Sequence, residues 1–388
     1  MSKYIAKKIG IYLHIPYCIK KCSYCAFNSI PSNGVSKPYL QAMDKEIDRA
    51  STLFNLKEYL VDTLYFGGGT PSLLTPGEVK GLLRRVDASY KLAEDAEMTL
   101  ELNPAAQDGI NIHGYRRAGI NRLSIGIQSF DEKNLRFLGR LHDAKEAEFS
   151  FARAREAGFD NISIDLICGL PGQKAGDVKS DLERALKLGP EHISLYLLSI
   201  ESGTPFFSAV KEGRFAPLDD EMQGEIYQCA SEYLQINGYV RYETSNYAQN
   251  GFESKHNMRY WRGEDYIGVG AGAHSFISDI GWGMRCWNVK SPDKYINSID
   301  SNLLPLEELE ILTRKDAIRE SVLTSLRTST GLSEEMLNKK FAISLFEALS
   351  EGALKMLPGD IYKNEKGRII LTEKGALMAD EVALSLLI

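Results

Sequence analysis

Three cysteines lie close together near the start of the chain. Cys18, Cys22 and Cys25 form a CxxxCxxC pattern after a first apolar segment. Thiolates bind the irons of iron–sulfur clusters, and three thiolates can hold three irons of a four-iron cubane while the fourth iron stays open to a non-protein ligand. A zinc site is the alternative, although zinc usually takes a fourth protein ligand and no second cysteine pair lies near in sequence. The spacing therefore predicts a metal centre and favours a [4Fe–4S] cluster.

A glycine run and several polar residues follow the predicted strands of the first half. Gly68, Gly69 and Thr70 belong to the segment GGGTP, in which glycines let backbone N–H groups approach a ligand closely. The polar side chains at or near the carboxyl ends of later strands are Glu101, Gln128, Arg140 and Asp165. Because α/β barrels build their sites at this rim, we expect these residues to form a ligand-binding site together. Each residue taken singly could instead be a turn residue or part of an ion pair.

A histidine followed by two aromatic residues stands in the middle of the chain. His256, Tyr260 and Trp261 form the pattern HNxxYW. Histidine is a natural axial ligand of haem iron, and the aromatic rings offer area to pack on a flat porphyrin. The alternative is a hydrogen-bonded histidine in the core. His274, in GVGAGAHSF, is a second candidate for haem, and its glycine-rich surroundings also suit a buried turn.

Apolar, β-rich runs alternate with helical patterns through the first half of the chain. The predicted strands are Ile9–Ile15, Thr63–Phe66, Met98–Leu102, Arg122–Ile127, Asn161–Ile167 and His192–Leu198. The predicted helices lie near 38–54, 76–89, 108–118, 144–157 and 175–188. Six strand-then-helix units predict an α/β fold with parallel strands, either a partial (β/α)6 barrel or a doubly wound sheet. Six units are too few for a complete eight-stranded barrel.

The remainder of the chain has a different pattern. We expect domains at 1–205, the partial barrel, at 206–304, a mixed α+β extension that carries HNxxYW, and at 305–388, a C-terminal helical domain. The last segment begins with LEELEILTRKDAIRESVLTSLR, which predicts one or two helices. Its order of helices and a hairpin is that of a winged helix. A small helical cap is the preferred interpretation, because no Lys/Arg cluster marks a recognition helix.

Composition excludes several classes of protein. The chain has 388 residues, a formal net charge of −6 and no apolar stretch long enough to span a bilayer, and its start does not resemble a secretory signal. The acidic balance argues against a nonspecific nucleic-acid binder. Six cysteines without a signal do not indicate a disulfide framework, so we expect a cytoplasmic protein. The isolated cysteines Cys168, Cys229 and Cys286 are interpreted as small buried hydrophobic residues.

The order of motifs resembles a known group. CIKKCSYCAFNS, FGGGTPSLL, ELNP, RLSIGIQSF, LGRLH, IDLICGLPGQ and LYLLSIESGTP run in sequence through the first 205 residues. This resembles the oxygen-independent coproporphyrinogen III oxidase group of the radical S-adenosylmethionine (SAM) superfamily, and the likeness continues through nearly the whole chain. It implies that SAM chelates the open iron and that an electron donor reduces the cluster, which cleaves SAM to methionine and a 5′-deoxyadenosyl radical.

The resemblance also assigns residues. It implies that Cys18, Cys22 and Cys25 hold the cluster. It implies SAM contacts for Tyr12, Gly68, Gly69, Thr70, Glu101, Gln128, Arg140 and Asp165. Ser199 falls where a further contact would lie, but its motif match is poor.

One residue separates two branches of the group. The true oxidases carry a fourth cysteine two residues past the third, where this chain has Phe27. Phenylalanine at this position together with HNxxYW resembles the HemW-type haem chaperones. That branch implies that haem binds near His256 and passes to recipient haem proteins. The alternatives are a coproporphyrinogen III oxidase, which decarboxylates propionates oxidatively, and another radical SAM enzyme that acts on a porphyrin.

Overall fold

The structure is a computed structural model that describes residues 6–104, 111–349, 354 and 356–387. The strands of the main sheet, in chain order with two short strands of the cysteine segment, are β1 (Lys8–Ile15), β2 (Tyr17–Cys18), β3 (Ile30–Pro31), β4 (Leu60–Gly68), β5 (Lys91–Leu102), β6 (Arg122–Gln128), β7 (Ile162–Cys168), β8 (His192–Leu197), β9 (Val240–Arg241), β10 (Asn246–Ala248), β11 (Tyr266–Val269), β12 (His274–Ile277), β13 (Met284–Asn288) and β14 (Leu306–Ile311). The helices that accompany them are α1 (Lys37–Leu53), α2 (Pro76–Ser89), α3 (Ile112–Ala118), α4 (Glu132–Leu138), α5 (Ala144–Glu156), α6 (Ala175–Leu188), α7 (Pro205–Lys211), α8 (Asp220–Ile236), α9 (Lys255–Arg262) and α10 (Pro292–Asp300).

Six parallel strands form the centre of the sheet, in the order β1-β4-β5-β6-β7-β8. Each strand is added beside its predecessor and on the same side. A doubly wound sheet would instead reverse direction at a switch point. The strand order therefore confirms the partial (β/α)6 barrel. The strands and helices predicted for this half are confirmed, although residues 108–110 of the helix predicted over 108–118 lie outside the described part of the chain.

Alternation along each strand divides the side chains between two faces. On β1, Ile9, Ile11 and Leu13 are fully buried in the main hydrophobic core, which also includes residues of the surrounding helices. Tyr12 and His14 point to the opposite face, which is the inner face of the barrel. The helices begin at well-formed caps: Thr75 and Asp143, for example, form capping boxes at the starts of α2 and α5. Packing against the helices thus fixes which side chains of each strand face outward, and the polar side chains at the alternate positions face the inside of the barrel.

The middle segment extends the barrel sheet at both edges. Strand β10 pairs antiparallel with β8, and β11 pairs parallel with β1. Strands β12, β13 and β14 then continue the sheet beyond β11. The prediction of a helix at LEELEI was wrong: Leu306–Ile311 is strand β14, and the following helix begins at Arg314. This strand is largely exposed, and pairing with β13 decides its conformation.

The C-terminal elements pack around a second hydrophobic cluster. They are α11 (Arg314–Leu326), β15 (Leu332–Ser333), α12 (Glu334–Phe341), α13 (Leu345–Ala348), β16 (Tyr362–Glu365), β17 (Arg368–Leu371), α14 (Glu373–Ala376) and α15 (Ala379–Leu386). Helices followed by the β16–β17 hairpin give the order expected of a winged-helix-like unit. Within the described residues, no helix has both the length and the apolar character needed to cross a membrane.

Candidate radical SAM site

A cavity of about 420 Å³ opens on the inner face of the barrel. This volume lies in the range of small-molecule and cofactor sites. The predicted site residues that line it are Cys18, Cys22, Cys25, Gly68, Gly69, Thr70, Glu101, Gln128, Arg140 and Asp165, and Ser199 lines it too. Two predicted residues, Tyr12 and His256, are not part of this lining. The structure thus brings together ten of the twelve residues assigned from the sequence.

The cysteine segment is folded tightly over one end of the cavity. Strand β2 ends at Cys18, whose carbonyl oxygen accepts a hydrogen bond from the Ser32 backbone N–H at 2.7 Å. The Cys25 N–H donates to the Cys22 carbonyl oxygen at 3.2 Å, which turns these two side chains toward the same space. Burial, and the nearby Cys22 and Cys18 sulfurs, raise the pKa of the Cys25 thiol, although the Phe27 backbone and Lys21 oppose this. Thiols of this kind give up their protons when they bind a metal.

The glycine-rich segment follows β4 and lies against the first cysteine. A Cβ on Gly69 would stand 2.6 Å from the Tyr17 carbonyl oxygen and 2.9 Å from Cys18 Sγ, so only glycine fits here without a shift of neighbouring atoms. Gly68 has φ +117°, which L side chains rarely adopt. The Thr70 hydroxyl donates to Cys18 Sγ at 3.4 Å. The segment therefore holds the Cys18 sulfur and leaves backbone surface open to a ligand.

Arg140 lies beside the second cysteine. Its Nη1 donates to Cys22 Sγ at 3.6 Å, and its Nη2 donates to Asn103 Oδ1 at 3.0 Å and to the Gly126 carbonyl oxygen at 2.8 Å. Its Nε is buried and has no hydrogen-bond partner. A buried guanidinium N–H without a partner is costly, and an anionic ligand would satisfy it.

Glu101 ends β5 with its carboxylate held from two sides. The Tyr65 hydroxyl donates to Oε1 at 3.0 Å and the Gly68 N–H donates to Oε2 at 3.1 Å. Burial and the nearby Asp165 nevertheless raise the pKa of Glu101 to about 8, because these two hydrogen bonds only partly offset desolvation and repulsion. The raised pKa favours the protonated form of Glu101, which can donate a hydrogen bond as well as accept one.

Asp165 lies deeper on the inner face and is surrounded by hydroxyl groups. Ser124 Oγ lies 3.0 Å from both carboxylate oxygens, and Ser163 Oγ lies 3.2 Å from Oδ1. Burial raises the pKa of Asp165 in spite of these hydrogen bonds and of Arg122, which lies close enough to oppose the shift. Arg122 is 1% exposed, lines the cavity, and its Nε has no hydrogen-bond partner. Sequence reasoning treated Arg122 only as the start of a strand, although a charged residue in an apolar strand was the available signal.

Gln128 adopts a strained backbone at the end of β6. Its φ is +70°, in a region that residues other than glycine seldom occupy. Gly126, two residues earlier, leaves room for the Gln128 side chain, because a Cβ on Gly126 would stand 2.9 Å from the Gln128 side-chain nitrogen. Strain of this kind persists where the surroundings enforce it, and it commonly marks a ligand site. Gln128 thereby turns its amide into the cavity.

Tyr12 supports the glycine-rich segment from behind. A Cβ on Gly67 would stand 2.8 Å from the Tyr12 ring, and the Tyr12 hydroxyl lies 3.1 Å from His14 Nδ1. The ring lies against both Tyr65 and His256 at centroid distances of 6.1 and 6.3 Å, and those two rings are themselves 5.3 Å apart. Tyr12 therefore contacts Gly67, the residue before the part of the glycine-rich segment that lines the cavity. Its predicted contact with SAM stays a prediction.

His256 is fully buried in the same stack. Its Nδ1 lies 2.9 Å from Thr63 Oγ1, and its Nε2 lies 2.9 Å from the Tyr260 hydroxyl. Burial, Arg259 and Arg122 lower the pKa of His256 to about 3, so its ring is neutral. The sequence could not distinguish this arrangement from an accessible histidine, because Thr63 lies far away in the chain. The assignment of His256 as haem ligand stays a prediction, and its two occupied nitrogens count against it.

The residues present fit an iron–sulfur cluster with SAM. Within the part of the chain that the structure describes, no three His, Cys, Asp or Glu side chains converge at the spacing of a single metal ion. A cubane has its irons on separate corners and takes one thiolate at each, so cysteines spaced around a wider centre suit it. The space that Gly69 leaves beside Cys18 suits such a cluster, and the unpartnered Nε atoms of Arg122 and Arg140 suit an anionic ligand beside it.

Comparison with known proteins agrees with this geometry. The model of the radical SAM superfamily matches residues 12–185. The chain is 36% identical to the haem chaperone HemW of Bacillus subtilis (strain 168) over 375 residues, which cover 96% of this chain and 97% of that protein. The chain belongs to the HemW family of radical SAM proteins.

The chain is also similar to a mitochondrial protein and to a radical SAM enzyme of known structure. Radical S-adenosyl methionine domain-containing protein 1, mitochondrial, from Bos taurus is 36% identical over 341 residues, covering 85% of this chain and 75% of that protein. The solved structure of coproporphyrinogen III oxidase (HemN) from Escherichia coli matches with a TM-score of 0.81 and 25% identity, covering 99% of this chain and 91% of that one. The HemW-family chain thus shares its fold with a radical SAM enzyme along its whole length.

Phe27 is the residue that most distinguishes the cysteine segment of this HemW-family chain. Its side chain is 64% exposed and also lines the cavity, so it lies at the mouth. The other cysteines do not approach the site. Cys168 and Cys286 are buried, as expected, whereas Cys229 is only partly buried on α8.

Proposed function

We propose that this chain is a haem chaperone that holds a [4Fe–4S] cluster and SAM, binds haem and delivers it to recipient haem proteins. One observation carries the proposal. In a chain of the HemW family, three cysteines and the Gly68–Thr70 segment meet at one cavity, while Phe27 stands where a fourth cysteine would lie.

Different residues around the cavity would bind the cluster and SAM. Cys18, Cys22 and Cys25 would each hold one iron. The residues that would bind SAM are Gly68, Gly69, Thr70, Glu101, Gln128, Arg140 and Asp165, with Tyr12 behind them. When bound, the reduced cluster supplies the electron that cleaves SAM. Arg140 keeps a positive charge beside Cys22 Sγ, and the protonated Glu101 can donate a hydrogen bond to a ligand hydroxyl.

The size of the cavity bears on where haem binds. A cavity of about 420 Å³ has room for the cluster with a cofactor of the size of SAM. Haem is a second large ligand, so we expect it at the mouth of the cavity rather than inside. Ligation by His256 would need its hydrogen bonds to Thr63 and Tyr260 to break and the ring to leave its stack.

The experiment uses anaerobically reconstituted full-length protein. We expect haem titration to produce a Soret band at micromolar protein, with and without SAM, and we expect the loaded protein to transfer haem to an apo haem protein. The transfer is followed by the spectrum or activity of the recipient. Absence of haem binding at micromolar protein would overturn the proposal.

The second candidate is oxygen-independent coproporphyrinogen III oxidase. It is favoured by the likeness to HemN over 99% of this chain. Phe27 in place of a fourth cysteine counts against it. An anaerobic assay with reduced cluster, SAM and coproporphyrinogen III decides between them: protoporphyrinogen as product supports the oxidase, and its absence with an intact cluster supports the chaperone.

The proposal includes two further partners and a location. An electron donor must reduce the cluster, and a recipient must dock close enough to take haem. The cytoplasm is the predicted compartment. Fractionation of cells that express a tagged chain, with enzyme markers for each compartment, tests this location.

A further inference from the structure

An exposed histidine lies on the sheet beside the barrel. Haem iron must approach a ring nitrogen closely, and the porphyrin around the iron is wide and flat, so a buried imidazole would first have to become exposed. His14, His142, His192 and His256 have exposures of 6% or less. His113 is partly buried on α3, in the outer helical layer. His274, at the start of β12, is exposed.

The position of His274 connects it to the candidate site. β12 is joined to β11, which pairs with β1, and Tyr266 pairs with Phe276. Because side chains alternate along strands, His274 and Phe276 share one face. Burial lowers the pKa of His14, which lies beside Gly68, and the nearby His274 ring adds to this shift. His274 is thus on the inner face of the sheet, beyond the edge of the cavity.

Trp287 braces the His274 side chain. These residues are direct partners across β12 and β13, with ring centroids 5.5 Å apart and planes 22° apart. The indole therefore covers one face of the imidazole and holds its orientation. Partial burial of the ring against its neighbours, and the positive charges of Lys290 and Arg285, lower the pKa of His274, which favours the neutral imidazole that can bind iron.

Asn28 ties the end of the cysteine segment to the same place. Its Nδ2 donates to the Ala271 carbonyl oxygen at 2.9 Å and to the Lys290 carbonyl oxygen at 3.0 Å. A Cβ on Gly272 would stand 2.5 Å from this nitrogen, so the glycine makes room for the contact. Asn28 thereby holds the end of the cysteine segment against the backbone at Ala271, three residues before His274, and against the backbone at Lys290. The residue before Asn28 is Phe27, whose exposed ring offers apolar surface to a ligand.

The charged residues around His274 would orient the propionates of a bound haem. Arg285 is already paired with Glu310, whereas Lys290 is exposed. On β14, Glu308 lies opposite Trp287 and would repel a carboxylate. The propionates of a bound haem would therefore point away from β14 and toward Lys290.

We propose that Phe27, His274, Trp287 and Lys290 form the haem-binding surface, with a ring nitrogen of His274 as axial ligand to the iron. This inference rests on the proposed function as a haem chaperone. It moves the ligand from HNxxYW to GVGAGAHSF and gives Phe27 a role as the apolar contact for the porphyrin. Haem then lies beside the mouth of the cluster cavity, where a recipient protein can reach it.

The test titrates ferric haem into full-length wild-type protein and into His274→Ala, His256→Ala and His113→Ala. We expect His274→Ala to weaken binding by about tenfold or more and to shift the Soret band, while His113→Ala, the matched control, binds as the wild type does. Added free imidazole should restore the wild-type spectrum of His274→Ala. His256→Ala should keep the wild-type Soret position in protein whose circular dichroism shows that it is folded.

Two outcomes separate the site from the function. If the wild type binds haem and His274→Ala binds it with unchanged affinity and spectrum, the site is wrong and the proposed function stands. If the wild type does not bind haem at all, both are wrong. Lys290→Glu gives an independent check, because it should weaken haem binding about tenfold by repulsion of the propionates while the axial-ligand spectrum of the bound fraction stays the same.

Discussion

The hydroxyl of Thr70 donates a hydrogen bond to Cys18 Sγ over 3.4 Å. The neighbouring Gly69 comes so close that a Cβ there would stand 2.9 Å from the same sulfur. The glycine-rich segment therefore contacts the first cysteine directly. Because Gly69 has no side chain, there is room for the Cys18 sulfur beside it.

Replacement of Gly69 by alanine tests this packing. We expect Gly69→Ala to weaken cluster retention by about 10–100-fold, because the new methyl group must displace the Tyr17 carbonyl oxygen or the Cys18 sulfur. Iron and sulfide per chain after anaerobic reconstitution measure the effect. Gly81→Ala is the control, since a Cβ there meets no atom within 4 Å. Full iron content in Gly69→Ala would show that the segment yields more easily than its geometry indicates.

Glu101 gives a prediction about pH. Its pKa in the folded protein is raised from 4.5 to about 8, so between these values the folded chain holds a proton that the unfolded chain has lost. Its contribution to stability is therefore greatest below pH 4.5 and is lost as pH rises through 8, by about 1.4 kcal/mol for each pH unit.

Urea unfolding of the wild type and Glu101→Gln at pH 5 and pH 8 measures this contribution. We expect Glu101→Gln to lose less stability than the wild type between the two pH values. Glu94→Gln, at an exposed position on the same strand, should behave as the wild type does. Equal losses in all three proteins would mean that Glu101 is already ionised in the folded state.

Arg140 should influence the reduction of the cluster. Its guanidinium lies 3.6 Å from Cys22 Sγ, and removal of a positive charge makes the addition of an electron less favourable. We expect Arg140→Gln to lower the cluster potential by tens of millivolts, where about 59 mV is tenfold in a one-electron equilibrium. A redox titration followed by electron paramagnetic resonance measures it. Arg136→Gln, on the exposed face of α4, should leave the potential unchanged, and an equal shift in both variants would point to long-range charge alone.

His256 should matter for stability. Its side chain has no solvent exposure, and both ring nitrogens are hydrogen-bonded. We expect His256→Ala to reduce the free energy of unfolding by about 2–4 kcal/mol, because it leaves a cavity and removes the partners of Thr63 and Tyr260. Urea unfolding at neutral pH is the measurement. His113→Ala should change stability by about 0.5 kcal/mol or less, and a similar small change in His256→Ala would contradict the burial of this ring.

The sequence predicts those features that depend on local pattern. Period-two runs such as Ile9–Ile15 mark the strands, and the polar residues that end them, Glu101 among them, converge because parallel strands end at one rim. The inward turn of His256 depends on Thr63, a distant residue, so the pattern HNxxYW cannot reveal it. Likewise Leu306–Ile311 becomes a strand because β13 is available to pair with it.

The pairing of β1 has a consequence for synthesis of the chain. Gly10 pairs with Thr63 on one side and with Tyr266 on the other. A ribosome makes the N-terminal strand first, yet its second hydrogen-bonding edge stays open until the segment with Tyr266 has emerged. An open apolar strand edge invites association with other chains. Nascent chains that stop after the barrel would therefore be more prone to associate through this edge than the full-length chain.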